Sequence, residues 1–134
     1  MIADLIKKNR SCRRFYQDHI VDLETLKKLV DLARLSASAG NLQPLKYILS
    51  CNLQQNGRIF SCLAWAGYLK DWPGHDNGER PAAYIVVLGD TTKSNDFGCD
   101  HGIAGQSILL GATEIGLAGC TIGSIKREDR KSVV

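Results

Sequence analysis

The sequence predicts a single domain that mixes helices with strands, on three observations. Leu23, Leu26, Leu29, Val30 and Ala33 recur at the spacing of an amphipathic helix. Ala82 to Leu88 is a continuous apolar run, and its β-branched Ile85, Val86 and Val87 suit a buried strand. Helical and extended patterns alternate along the 134 residues with no internal repeat and no Pro/Gly-rich linker, so residues 1–134 are expected to form one domain. A chain of this length buries about two-thirds of its unfolded surface.

Taken in order, Ile2, Leu5 and Ile6 give a short helical face ending near Asn9. A basic segment carrying Ser11 follows, with Phe15 as an apolar anchor. Asp22 is a good N-cap for a helix starting at Leu23, with Val21 and Leu26 at hydrophobic-staple spacing. Tyr47 to Cys51 reads as a buried strand. After Gly57, residues Ile59, Phe60, Leu63, Ala64 and Tyr68 repeat at helical spacing, and Trp72 to Gly78 has the chemistry of a loop. A second loop runs from Gly89 to about Asn95, then a long helix from roughly Phe97 to Ile115. Gly102, Gly105 and Gly111 are costly inside a helix, at about 1 kcal/mol each relative to Ala, and point to close backbone contact, within the chain or with a partner subunit. Gly116 is placed to stop that helix, and Ala118 to Ser124 resumes an extended path.

Composition narrows the function classes. The chain is 44% hydrophobic and 23% charged, as an ordinary globular protein is. Its net charge of +3 does not by itself imply nucleic acid. The charge is unevenly spread: Lys7, Lys8, Arg10, Arg13 and Arg14 fall together, with no acid between Asp4 and Asp18. Such a cluster is either a solvated face or a place where a phosphate is held. It lacks interleaved stacking aromatics, which speaks against nucleic acid. The five cysteines form no C-x-x-C pair and, with no signal peptide, fit a reducing cytoplasm. The nearly uncharged run from Gly102 to Ile125 contains Glu114, Gln106 and six glycines, which argues against a membrane span.

The stretch from Leu35 to Tyr47 is unusual in its density of small and amide side chains. Asn41 and Gln43 bracket Leu42, so in an extended backbone both amides face the same way. Pro44 is expected to hold Gln43 extended, and Gly40 to supply a positive φ or a close approach. Two parallel amides on a small-residue shelf suit a flat heterocycle; a plain helix stop and turn would use the same residue types.

Other chemistries find little support. His19, His75 and His101 are scattered and pair with no Cys or carboxylate at a familiar ligand spacing, so no metal site is expected. There is no G-x-S-x-G, and no G-x-G-x-x-G follows a strand. An anion site near the N-terminus and an amide shelf remain. Together they describe a ligand with a phosphate at one end and a flat polar ring at the other, as in flavin mononucleotide (FMN).

At these residues the chain resembles the nitroreductase family. Asn9 to Phe15 looks like that family's opening motif and Ser36 to Tyr47 like its second, usually written with Pro-Ser and Gln-Pro-Trp. Gly102 to Ala104 and Gly116 to Ser124 resemble its later helix and strand, and the likeness runs in order from residue 2 to about 128. Asn9 stands where members commonly carry the first of two basic residues, and Leu45 replaces the usual Trp.

The resemblance implies an α+β fold, a nitroreductase-like three-layer α/β/α arrangement with a central, mostly antiparallel sheet flanked by helices. It also implies a homodimer with FMN at each subunit interface. Members continue beyond the equivalent of Lys126 to Arg130 with a further strand and an arm that embraces the partner; against them the chain is expected to be C-terminally short. Carried over, Arg10 and Ser11 would serve the ribityl-phosphate end and Arg13 the pyrimidine edge. Ser38, Gly40, Asn41, Gln43 and Pro44 would reach the flavin of the other subunit, and Thr121, Ile122 and Gly123 would face the ring near its reactive nitrogen. The implied activity is that of a cytoplasmic flavoprotein oxidoreductase. It would take hydride from NADH or NADPH and pass it, in ping-pong fashion, to a nitroaromatic, quinone or similar small acceptor. No side chain is assigned as acid, base or nucleophile, because the flavin carries the chemistry. The alternative is a degenerate or regulatory flavin-binding module without turnover.

Overall fold

The computed structural model describes residues 1–126. The Arg127–Arg130 part of the basic tail, and the far end of the family likeness, lie outside the described residues. The order of elements is α1 (Ile2–Lys8), α2 (Leu23–Arg34), a 3-10 turn (Ala39–Asn41), β1 (Leu45–Ser50), α3 (Leu53–Ser61), β2 (Tyr84–Gly89) and α4 (Asp100–Glu114). Helices and a small antiparallel sheet make the fold α+β.

Helix α2 starts where its cap dictates. The Asp22 carboxylate accepts from the Thr25 amide at 2.7 Å, and this bond lowers the carboxyl's pKa. Its stripe buries Leu26, Leu29 and Ala33. Helix α4 answers with Ala104, Ile108 and Ala112, one residue every four, and these five side chains other than Leu26 form the central cluster. Leu45, Tyr47, Ile85 and Leu117 pack against it, so the sheet lies beside the α2–α4 pair. At Gly111 an added Cβ would run into Leu32 and come within 3.2 Å of Leu29. That glycine is therefore spent on close packing of the two helices within the chain. Gly116, at φ 82°, ends α4 as the sequence predicts.

β1 and β2 pair antiparallel from Leu45 opposite Gly89 to Ser50 opposite Tyr84. Beneath the end of β1, the Ser50 hydroxyl donates to the Asn56 side-chain oxygen at 2.6 Å, and the Asn56 amide donates to the Ala82 carbonyl at 2.8 Å. These bonds tie α3 to β1 and to the segment that leads into β2.

Three expectations need correction. Helix α3 begins at Leu53, not after Gly57, because the Asn52 side chain caps it by accepting from Gln55 at 2.8 Å. It ends at Ser61, so Leu63 to Tyr68 are not helical. Ala118 to Ser124 is extended but joins no regular ladder: it makes isolated bridges, Ser11 to Gly119 in parallel and, just beyond it, Leu63 to Ile125 antiparallel. Among the described residues the sheet has two antiparallel strands, in keeping with the expected α+β class.

Candidate functional site

Two groups of residues emerge, one on each side of α4. The first is the shelf between α2 and β1. Asp100, in the first turn of α4 and only 5% exposed, reaches back to it. Its carboxylate accepts from the Ser38 hydroxyl at 2.5 Å and from the Ala39 amide at 3.1 Å. These two bonds, the hydroxyl first, hold its pKa below the usual carboxylate value. The Ser38 oxygen in turn accepts from the Gln43 amide at 3.0 Å, closing a small ring of chain. One turn earlier, Ser36 bonds the Leu32 carbonyl at 2.8 Å and shares a hydrogen bond of 2.6 Å with Ser107 of α4. The shelf is thus fastened to α4 at two points seven residues apart in that helix.

The backbone there is left-handed at three places: Gly40 at φ 57°, Asn41 at 54° and Gln43 at 50°. Gly40 behaves as the sequence predicts. Gln43 does not: the proline rule disfavours the helical region but does not by itself secure an extended residue. The Ser38 hydroxyl on its amide, and Lys93 Nζ 3.5 Å from its carbonyl, hold the left-handed form. Such a conformation costs an ordinary residue roughly 1–2 kcal/mol and persists where its surroundings over-determine it. Asn41 and Gln43 nevertheless converge, with the Gln43 amide donating to the Asn41 oxygen at 2.6 Å. Both are exposed, while Pro44 is buried, its carbonyl accepting from the Asp90 amide at 2.7 Å. Asp90 pairs with Lys46 at 3.0 Å, and bonds from Thr92 and Lys46 pull its pKa down to about 2.

The second group is the basic segment. Ser11 bridges Gly119, and the Cys12 amide donates to the Gly119 carbonyl at 3.0 Å. That contact joins the segment carrying Arg10, Ser11 and Arg13 to Gly119, two residues before Thr121, across more than a hundred positions of sequence. Arg10 Nη1 lies 3.2 Å from the Asn9 carbonyl, and Arg13 Nη1 lies 3.5 Å from that of Ser11. Among the described residues neither guanidinium pairs with a carboxylate, whereas Arg14 sits 3.7 Å from Glu79. No hydrogen bond or ion pair among the described residues joins this group to the shelf.

A cleft of about 780 Å³ opens beside the basic segment, lined by Cys12, Arg13, Arg14, Tyr68, Lys70 and Trp72, among others. The Arg13 guanidinium lies over the Tyr68 ring, 5.2 Å from its centroid. Trp72 forms the edge of an aromatic cluster in which Phe60, Trp65 and Trp72 surround His75 at centroid distances of 5.3, 4.4 and 5.0 Å. Burial lowers the pKa of His75 there.

Sequence reasoning missed Asp100, Ser107, Tyr68 and Lys70. Asp100 stands in the sequence beside His101, which invites only the question of a metal. Its real signal is an acid opening a helix, opposite a Ser-rich stretch with no other charge to satisfy it. Tyr68 and Lys70 carried no local signal, since they belong to an irregular loop.

The chain has relatives of known name and structure. The sequence profile described as the nitroreductase family matches residues 6–63. A protein of Methanothermobacter thermautotrophicus named as an NADH dehydrogenase/NAD(P)H nitroreductase is 30% identical over 132 residues, covering 96% of this chain and 64% of its own length. The chain therefore spans somewhat under two-thirds of that curated relative. A nitroreductase family protein from Clostridium difficile 630 superimposes with a TM-score of 0.74 at 26% identity, covering 99% of this chain and 73% of that one. An FMN-dependent nitroreductase from Clostridium difficile R20291 has the same fold, with a TM-score of 0.74 at 24% identity over 96% of this chain and 75% of its own.

Proposed function

We propose that this chain, whose likenesses are to proteins of the nitroreductase family, is a single-domain, FMN-dependent NAD(P)H oxidoreductase. It acts as a cytoplasmic homodimer on nitroaromatic, quinone or similar small acceptors. The observation that carries this reading is the pair of guanidinium groups, Arg10 and Arg13, which among the described residues have no carboxylate partner, beside the Ser11–Gly119 bridge.

The residues fit the cofactor. A phosphate needs cations and hydroxyl donors, which Arg10 and Ser11 offer together on one exposed segment. A flavin ring needs donors and acceptors in its own plane at one edge, which the paired amides of Asn41 and Gln43 supply from an exposed shelf. When bound, FMN supplies the two-electron chemistry, accepting hydride from a nicotinamide and delivering it to the acceptor.

The chain's own residues bind and orient. Arg10 and Ser11 neutralise the phosphate. Arg13, at the pyrimidine edge, places positive charge where negative charge grows on reduction. Ser38, Gly40 and Pro44 fix the shelf so that Asn41 and Gln43 of one protomer meet the ring held by the other. Thr121, Ile122 and Gly123 would face the ring near its reactive nitrogen.

The test is reconstitution with FMN, removal of unbound flavin, and anaerobic addition of NADH or NADPH followed by a nitroaromatic. A yellow protein that bleaches with a nicotinamide and regains colour with the acceptor is expected. A colourless protein that FMN cannot reconstitute overturns the reading. Flavin that binds and is reduced by neither nicotinamide replaces it with a binding or regulatory module.

A further inference from the structure

We propose that Cys12 and Cys120 form a redox-sensitive dithiol pair, which closes into an intrachain disulfide by exchange with a low-molecular-weight disulfide. The placement follows from the parallel bridge between Ser11 and Gly119, with the Cys12 amide on the Gly119 carbonyl at 3.0 Å. Cys12 and Cys120 are the next position on each strand. Neighbouring strands lie about 4.7–4.9 Å apart, inside the roughly 4.4–6.8 Å between Cα atoms that a disulfide spans.

The side chains are directed alike. A Cβ at Gly119 would stand 2.6 Å from Leu109 of α4, and the Thr121 hydroxyl lies 4.0 Å from the equivalent point on Gly105 of the same helix. Residues 119 and 121 therefore face α4, and Cys120 between them faces away from it. Cys12 follows Ser11 in the same alternation and lines the 780 Å³ cleft, its thiol donating to the Arg14 carbonyl at 3.0 Å. Both are thiols in the structure and both are partly buried. Burial, and after it the neighbouring Cys12 sulfur, raise the pKa of Cys120, while Arg13 opposes them.

The chemistry balances as two exchanges. The Cys12 thiolate attacks one sulfur of the small disulfide, forming a mixed disulfide and expelling one small thiolate, which takes up the proton Cys12 gave up. Cys120, as thiolate, then attacks the Cys12 sulfur and expels the second small thiolate with its proton. Two protein thiols are oxidised by two electrons, and one small disulfide is reduced to two thiols. Cys12 reacts first because the cleft opens onto it. The product ties the segment carrying Ser11 and Arg13 covalently to the one carrying Thr121 to Gly123.

The proposal does not depend on flavin binding. The full chain is incubated with oxidised glutathione under native conditions, then alkylated and mapped by mass spectrometry. The expected product is a peptide pair joined through Cys12 and Cys120, lighter by two hydrogens and with neither residue alkylated, and a raised melting temperature. Cys51 and Cys99, both exposed, are the internal controls for single-thiol reaction. In Cys120→Ser, Cys12 should retain a stable glutathione adduct, because the resolving thiol is gone. Wild-type protein in which Cys12 keeps glutathione while Cys120 is alkylated overturns the proposal, as does alkylation of both.

Discussion

The shelf and the basic segment are built on opposite plans. The shelf is locked by side chains of its own chain: Asp100 holds Ser38 and Ala39, Ser107 holds Ser36, and Ser38 holds Gln43. The basic segment is placed chiefly by backbone bonds, through Cys12 to Gly119 and Phe15 to Glu79, each at 3.0 Å, and leaves Arg10 and Arg13 without acidic partners among the described residues. One region is pre-organised before any ligand arrives; the other keeps its charges in water until an anion displaces it. Pre-organisation fixes where a ring can lie, whereas unpaired charge supplies attraction.

If that contrast is right, the two regions respond differently to the same insult. The largest effect on cofactor affinity is expected from Arg10→Ala combined with Arg13→Ala. Each charge-assisted hydrogen bond is worth about 1.5–3 kcal/mol, so the double variant should weaken FMN binding about 10²- to 10⁴-fold. Its melting temperature should fall only slightly, because among the described residues neither arginine pairs with a carboxylate and what is lost is surface contact, Arg13 over Tyr68 included. Fluorescence titration with FMN and a thermal melt read both quantities.

Asp100→Ala should do the reverse in kind. It leaves the Ser38 hydroxyl and Ala39 amide without their acceptor, so the melting temperature falls and FMN affinity drops about tenfold as the shelf loosens. A variant with unchanged stability would show that Asp100 does not organise the shelf.

Salt sharpens the comparison further. Raising the ionic strength from about 0.1 M to about 1 M shortens the Debye length from ~10 Å to ~3 Å. FMN affinity should fall several-fold in wild type and hardly at all in the double arginine variant, while Asp100→Ala keeps the wild-type slope.

The smallest effect is acid sensitivity beneath the shelf. The Asp90 carboxyl, bonded by Thr92 and Lys46, is held down to about 2. A depressed carboxyl pKa contributes stability that is complete above the unfolded value near 4 and is lost as pH falls toward 2. Asp100, depressed in the same direction, adds to that loss. Melting temperatures measured between pH 5 and pH 2 should decline less steeply in Asp90→Asn than in wild type.

How much of this was legible in the sequence depends on the reach of the interaction. The Asp22 cap and the α2 stripe rest on local spacing and stand where the sequence puts them, except that Leu23 is exposed; the apolar run is a strand too, but it starts at Tyr84 rather than Ala82 and is half-buried. The left-handed Gly40 was equally local. Helix α3 was misplaced because Gly57 reads as a break. Its missing side chain has nothing within 4 Å to pack against, so the helix, already capped by Asn52, runs through it. Gln43 was misjudged because Pro44 constrains it locally, while Ser38 and Lys93, one of them fifty residues away, decide its conformation. Asp100 lies 62 residues from Ser38, and nothing in either neighbourhood announces the other. The anion-friendly segment and the amide shelf were visible as residue types; what holds each in place was not.

The central claim is that one ring is gripped by the basic segment of one protomer and by the shelf of its partner. The most direct test mixes two inactive proteins, Arg10→Ala/Arg13→Ala and Asn41→Ala/Gln43→Ala, after subunit exchange, and measures bound FMN. Each mixed dimer would contain one site with both halves intact, so binding should recover to one FMN per mixed dimer although neither parent binds. No recovery, in mixtures shown to have exchanged subunits, would contradict the claim.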